Sequence, residues 1–102
     1  MKARQNIIAY CFDKRGRLIS TGRNSYVRTH PLQKHFAEKV GHHGKEFIHA
    51  EIDAILKAKG KQINSIHIVR LDSKGKARLA KPCPICMEAI QAFGIVNTTW
   101  ST

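Results

Sequence analysis

Two short motifs limit what this chain can fold into, because together they present the ligands of one metal ion. The first is His49-Ala50-Glu51 and the second is Pro82-Cys83-Pro84-Ile85-Cys86. Zinc binds imidazole nitrogen and thiolate sulfur, and a catalytic zinc site has three protein ligands and one position left open for water. One histidine and two cysteines therefore predict one catalytic Zn²⁺ per chain, held by His49, Cys83 and Cys86.

Glu51 has a different expected role, since a site with three ligands does not need it to hold the metal. A carboxylate beside an activated water can take a proton from it and deliver that proton to a leaving group. The order His-x-Glu, then Pro-Cys-x-x-Cys, is the signature of zinc-dependent deaminases of bases. We therefore expect Glu51 to be catalytic and the reaction to release ammonia from the carbon that bears an exocyclic amine. The alternative is a zinc knot without chemistry, although structural zinc sites usually have four protein ligands.

Local patterns predict an alternation of strands and helices. Runs rich in β-branched and aromatic residues, bounded by polar turns with glycine, predict strands at 6–12, 18–21, 63–71 and 95–100. Apolar recurrence at helical spacing predicts helices at 32–40, 46–59 and 85–93, the last two followed by glycine. This places His49 and Glu51 in the first turn of one helix and the two cysteines at the start of the next. The order predicts a layered α/β fold, with helices on a mixed sheet of about four strands, as a single domain over residues 1–102.

Composition bears on partners and on compartment. The chain has 102 residues, and its 18 Lys plus Arg against 7 Asp plus Glu give a formal charge of +11, which favours phosphorylated or polyanionic partners. The charge is spread along the chain, so a solvated surface and a nucleic-acid groove both remain open. Three cysteines do not make a secreted disulfide framework. No stretch approaches the ~20 apolar residues of a membrane span. We expect a cytoplasmic protein without a membrane partner, or one that works in the cytoplasm of an infected host.

The segment 23–45 is the long connection of the fold, and such loops are usually functional. It contains four histidines, His30, His35, His42 and His43. They could bind a second metal, or they could form a polar lid or a loop that faces a phosphate. Arg23 and Arg28 are candidate phosphate contacts in the same segment.

The motifs around His49 and Cys83 resemble those of the zinc-dependent cytidine and deoxycytidylate deaminase superfamily, and the resemblance covers nearly the whole chain. It implies a three-layer-type, cytidine-deaminase-like fold, zinc on His49, Cys83 and Cys86, and Glu51 as the proton shuttle. It also implies that Asn24 hydrogen-bonds the sugar or the base and that the backbone of Ala50 contacts the base. Arg23, beside Asn24, completes the expected substrate-binding set. Because an exposed last strand favours pairing with another subunit, we expect a homo-oligomer.

Three functions are consistent with these residues. The first is a zinc-dependent hydrolase of the C–N bond of a cyclic amidine, which converts a free cytosine nucleotide or nucleoside to the uracil form. The second is a deaminase of cytosine or adenine in single-stranded nucleic acid, for which the charge of +11 is the main argument. The third is a non-catalytic, zinc-bearing binding module, which would tolerate the loss of Glu51.

Overall fold

The computed structural model describes residues 6–41 and 47–102. Along the chain its elements are β1 (Asn6–Phe12), β2 (Leu18–Arg23), α1 (Pro31–Lys39), α2 (Ala50–Lys57), β3 (Ser65–Leu71), β4 (Ala77–Arg78), α3 (Pro84–Ala92) and β5 (Asn97–Trp100). Every predicted strand and helix is present, with ends that differ by up to four residues. The additional strand is β4, which has only two residues and is too short to produce an alternating pattern in the sequence.

The five strands of the described residues form one mixed sheet. Strands β2, β1 and β3 are neighbours in that order and pair antiparallel. The other edge of β3 is shared, because β4 pairs antiparallel with residues 70–71 and β5 pairs parallel with residues 65–68. A parallel neighbour needs a crossover connection, which α3 supplies between β4 and β5. The expected α/β class, a mixed sheet with helices packed on it, is confirmed.

One face of the sheet carries the core. Ala9 of β1 lies opposite Ile68 of β3, and Cys11 lies opposite Ile66, and all four side chains are at most 1% exposed. Residues between them, such as Tyr10, point to the second face and are half-buried, as the period of two in a strand requires. Cys11 is a small apolar residue of this core, and burial raises the pKa of its thiol to about 11.

Helix α2 lies unusually close to β2 at Gly22. A Cβ atom at this position would collide with the backbone nitrogen of Ala54 and with the carbonyl oxygen of Ala50. Two residues earlier on the same face, the hydroxyl of Ser20 donates a hydrogen bond to the carbonyl oxygen of Ala54, at 2.7 Å. Glycine in a strand often marks such a close approach. The contact sets the position of α2, and with it the position of the residues at the start of this helix.

The three helices form one layer on the core face of the sheet, which makes two of the layers in the expected arrangement. Phe36 of α1 packs against Phe93 at the end of α3, with ring centroids 6.4 Å apart. Lys39 and Glu88 form an ion pair between the same two helices, with Nζ and Oε1 2.9 Å apart. Helix α3 also contacts α2. No helix within the described ranges combines the length and the apolar character that crossing a bilayer requires.

Two hairpin turns of the sheet are built in the same way. In the β1–β2 turn a carboxylate oxygen of Asp13 accepts the backbone N–H groups of Arg15 and Arg17, both at 2.9 Å. In the β3–β4 turn Asp72 does the same for residues 74 and 76. These backbone hydrogen bonds lower the pKa of both exposed carboxyl groups. The second turn leads the chain through β4 to the segment before α3.

Candidate metal centre

The starts of α2 and α3 bring the three predicted ligands together. His49 is the N-cap of α2 and Cys83 is the N-cap of α3, with Pro84 as the first residue of that helix. Cys86 lies in the first turn of α3, one turn after Cys83. Proline at a first helical position is favoured because its fixed φ fits the helix and its missing N–H is not needed there. Within the described ranges, these three residues form the one group of His, Cys, Asp or Glu side chains arranged to hold a metal ion.

His49 does not lie in the first turn of α2, where the sequence placed it. The helix begins at Ala50, and His49 is extended, with φ −87° and ψ 156°. The residues before it pair with the loop that follows β2, where the N–H of Ile48 donates to the carbonyl oxygen of Arg28 at 2.9 Å. Because Ile48 takes part in this long-range pairing in place of a helical hydrogen bond, the helix begins only after it, at Ala50. Residue 46, where the sequence predicts that this helix begins, lies outside the residues that the structure describes.

The distances between the ligand atoms fit a tetrahedral zinc site. Nδ1 of His49 lies 3.3 Å from Sγ of Cys86 and 3.5 Å from Sγ of Cys83. With zinc–sulfur bonds of about 2.3 Å and zinc–nitrogen bonds of about 2.0–2.1 Å, the nitrogen–sulfur edge of a tetrahedron is about 3.5 Å. All three ligand atoms lie within 4.8 Å of one another. The set of donors and its spacing therefore fit one zinc ion bound through Nδ1 of His49 and both sulfurs.

The pKa values of the two cysteine thiols are shifted in opposite directions. A hydrogen bond from Cys86, helped by the nearby His49, lowers the pKa of Cys83 to about 3. The pKa of Cys86 is raised well above its usual value, because its proton is held between the sulfurs and because the group is buried. The helix N-terminus also favours thiolate at Cys83. Because zinc binds the thiolate form of cysteine, binding of the metal ion releases any proton that the pair still holds.

Glu51 lies beside these ligands, in the first turn of α2, and its side chain is buried. The residue is 5% exposed, and burial raises the pKa of its carboxyl group. A hydrogen bond with Cys86 acts in the opposite direction but is a smaller effect. A raised pKa makes the carboxylate a stronger base and lets the acid form hold a proton at higher pH. These are the properties that a proton shuttle needs.

Gln33 of α1 supports the ligand His49 from behind, and sequence analysis did not identify it. Its Oε1 accepts the backbone N–H of His49 at 3.0 Å, and the residue is completely buried. A buried amide must find such partners or destabilise the fold. The signal in the sequence is weak, since Gln33 is one polar residue inside a short helix, next to the apolar position Leu32.

Asp53 of α2 is a second residue that sequence analysis missed. It is 3% exposed, and its Oδ2 accepts the backbone N–H of Arg23 at 2.9 Å. The same oxygen pairs with Lys57 at 2.9 Å, and Oδ1 lies 3.5 Å from the guanidinium of Arg28. The carboxylate thus ties the end of β2 and the loop after it to α2. A charged residue in the middle of an apolar helix was the available signal.

A cavity of about 550 Å³ opens beside the metal ligands. Its lining includes His49, Cys83, Ala50, Glu51 and Asn24. Oδ1 of Asn24 accepts the backbone N–H of Ile7 at 3.0 Å, which fixes the side chain at the start of β1. A volume of this size is in the usual range for small-molecule sites.

The other predicted contacts lie elsewhere. Neither Arg23 nor Arg28 lines this cavity, and Arg28 is engaged with Asp53. Nδ1 of His30 accepts the backbone N–H of Leu32 at 3.0 Å and caps α1. His35 packs edge-on against the neighbouring Phe36. The remaining histidines of the loop, His42 and His43, lie outside the described residues.

The model of a protein family described as the cytidine and deoxycytidylate deaminase zinc-binding region matches residues 2–102. No curated protein matches the chain. The matched range contains all three metal ligands and Glu51.

Proposed function

Because the chain belongs to the cytidine and deoxycytidylate deaminase zinc-binding family, we propose that it hydrolyses the exocyclic amine of a free cytosine nucleotide or nucleoside. The products are the corresponding uracil compound and ammonia, which places the reaction in pyrimidine nucleotide metabolism. One observation carries the proposal: the buried carboxyl group of Glu51 lines the same cavity as the metal ligands His49 and Cys83.

The reaction adds water across the C4–N3 bond of the base and then breaks the bond between C4 and the exocyclic nitrogen. When bound at the three ligands, zinc supplies a Lewis acid that makes water a nucleophile near neutral pH. Glu51 takes a proton from the attacking water and delivers it to ring nitrogen N3. It then carries the second proton to the amine, which leaves as ammonia. The raised pKa of Glu51 suits both acceptance and release of protons.

Asn24 and Ala50 are the proposed contacts to substrate. Both line the cavity beside Glu51. We assign the hydrogen bond to sugar or base to the Asn24 amide and a backbone contact with the base to Ala50. Arg23 does not line the cavity, and its backbone N–H is bound by Asp53, so it is proposed to contact only a part of the substrate that extends beyond the cavity at the end of β2.

The test is ammonia release by the zinc-loaded protein from cytidine, deoxycytidine, their monophosphates, adenosine and single-stranded DNA and RNA. In Glu51→Ala and Glu51→Gln we expect turnover to fall by at least about 100-fold, since general acid–base catalysis contributes 10²–10⁴-fold. Zinc content should stay at one ion per chain, because Glu51 is not a ligand. Glu38→Gln makes the same chemical change at an exposed glutamate of α1 and should be fully active.

The outcomes separate the three functions. Turnover of small cytosine compounds, lost in the Glu51 variants, supports the proposal. Turnover on polynucleotides alone contradicts it and favours the second function, deamination in single-stranded nucleic acid, which the net charge of +11 supports. A zinc-loaded protein that is silent on every substrate leaves the non-catalytic binding module.

Two proposals concern the surroundings of the protein. None of its three cysteines forms a disulfide, which suits a reducing compartment such as the cytoplasm. We also propose a homo-oligomer, because β5 is an edge strand and Val96, just before it, is 72% exposed. Sedimentation of the zinc-loaded protein at several concentrations tests this, and a monomer throughout would refute it.

A further inference from the structure

The cavity beside the metal ligands has an unusual balance of charge. Its lining includes two cationic side chains, Arg70 from β3 and Lys81 from the segment before α3. Among the described residues of this lining, the one carboxylate is Glu51, which the proposed reaction uses for proton transfer. Two positive charges in a concave site create a local field that favours an anion.

These two cations are not neutralised by the ion pairs of the described residues. The five ion pairs there use the carboxylates of Asp13, Asp53, Asp72 and Glu88, and none of them involves Arg70 or Lys81. Arg28, by contrast, lies 3.5 Å from Asp53. With 7 carboxylate residues against 18 cationic ones, the chain has few acids left to pair with them.

The backbone that carries both cations is fixed by Ser101. The N–H of Arg70 donates to the hydroxyl oxygen of Ser101 at 3.1 Å, and this hydroxyl donates to the carbonyl oxygen of Arg78 at 2.6 Å. The N–H of Ala80, next to Lys81, donates to the carbonyl oxygen of Ser101 at 2.9 Å. The backbone segments that carry the two cations are therefore tied to one residue, beside one cavity.

Other residues of the lining suit the remaining parts of a nucleotide. Tyr26 and Phe47 are 40% and 50% exposed and offer aromatic surface to a base. Asn24 and Ser25 add polar groups. One cavity thus contains groups for three parts of a nucleotide. The metal ligands and Glu51 suit the reacting part of the base, the aromatic surface suits its ring faces, and the two cations suit a phosphate.

We propose that Arg70 and Lys81 bind the phosphate group of the substrate, so that the chain acts on a phosphorylated cytosine compound in preference to the nucleoside. This inference rests on the proposed function and names its substrate class. It assigns the phosphate to residues of β3 and of the segment before α3, and not to Arg23 or Arg28. Arginine and lysine are the usual cations for phosphate, one by a planar fork and one as a point charge.

The first experiment compares kcat/KM for deoxycytidine monophosphate, deoxycytidine and a short single-stranded oligonucleotide with one cytosine. The variants are Arg70→Gln, Lys81→Gln and the matched control Lys14→Gln, an exposed lysine in the turn at the other end of β1. A charge-assisted hydrogen bond contributes about 1.5–3 kcal/mol, so each cavity variant should lose about tenfold or more on the monophosphate. Deoxycytidine should change by less than about twofold, and the control should behave as wild type.

The second experiment does not depend on turnover. Calorimetry measures binding of deoxyuridine monophosphate and deoxyuridine to the zinc-loaded protein. Wild type should bind the monophosphate at least about tenfold more tightly than deoxyuridine. Arg70→Gln and Lys81→Gln should each reduce this ratio of affinities about tenfold. Thermal melting and zinc content confirm that each variant is folded and loaded.

The results separate the two levels of proposal. Deamination without a preference for phosphate, or with a preference that survives both variants, overturns the inference and leaves the proposed function standing. A binding gap that the variants remove, in a protein that deaminates nothing, supports the anion site and refutes the reaction. An oligonucleotide preferred over the monophosphate overturns the inference, because the bound group would then be a phosphodiester of a strand, whereas the reverse preference supports a phosphomonoester.

Discussion

Single residues outside the metal ligands decide how well the ligands are held. Asp53 is the clearest case, because one buried carboxylate accepts a backbone N–H from Arg23 and pairs with Lys57 and Arg28. Gln33 plays a comparable part for the backbone of His49. Neither touches the predicted zinc position, yet each joins the helix that carries His49 to another segment of the chain.

Replacement of Asp53 should destabilise the protein according to what the new side chain can still accept. Asp53→Ala leaves the Arg23 N–H without its acceptor, which costs about 2 kcal/mol of unfolding free energy for a buried group. Asp53→Asn keeps a carbonyl oxygen that can accept this N–H, so its loss of unfolding free energy should be smaller, about 1 kcal/mol. Urea denaturation followed by circular dichroism measures both.

Glu38→Gln on the exposed side of α1 is the control for the loss of one negative charge. Equal stability of Asp53→Ala and wild type would mean that water replaces the carboxylate, and that Asp53 does not hold β2 to α2.

The elements matter through their ends. The N-termini of α2 and α3 lie close together in the fold, and the N-cap residue of each helix is a metal ligand. Their approach depends on how closely α2 can lie on β2, which Gly22 permits. The metal site is therefore a consequence of helix docking, and a change at the strand should be felt at the ligands.

Gly22→Ala should be severely destabilising, because the added Cβ would meet backbone atoms of α2 and not a movable side chain. Overpacking of this kind costs about 3 kcal/mol. A displaced α2 carries His49 with it, so zinc affinity should fall as well. Denaturation and competition with a chromogenic chelator measure the two effects.

Gly16→Ala is the matched comparison, since Gly16 has φ 78° and open space where a Cβ atom would lie. It should cost about 1 kcal/mol through backbone strain and leave zinc affinity unchanged. A Gly22→Ala protein as stable as Gly16→Ala would show that α2 can shift without loss.

At the scale of the whole molecule, the dominant feature is the charge of +11 on 102 residues. Such a field draws phosphorylated ligands from solution and accelerates their association. How strongly it acts depends on the number of phosphates that the substrate places against the protein, and added salt reveals that number.

For a mononucleotide, kcat/KM should fall by less than about tenfold between about 50 and 200 mM salt, since a single phosphate is bound. A single strand that contacts about five phosphates would lose on the order of 100-fold over the same range, from a slope of about −0.7 per phosphate. Steady-state kinetics at a series of salt concentrations decides between them. A steep loss for the monophosphate would contradict the proposed phosphate site.

The sequence by itself determined the elements and the metal chemistry. Zinc ligands are encoded by residue type and short spacing, so His49, Cys83 and Cys86 could be identified before any fold was known, and local patterns located the strands and helices. The tertiary structure alone decided that His49 is an N-cap whose backbone is held by Gln33, and that Asp53 ties β2 to α2. It also decided that Arg70 and Lys81 line the cavity while Arg23 and Arg28 do not. The physical reason is that these relations join residues far apart in the chain, through strand register and helix docking, which leave no local pattern in the sequence.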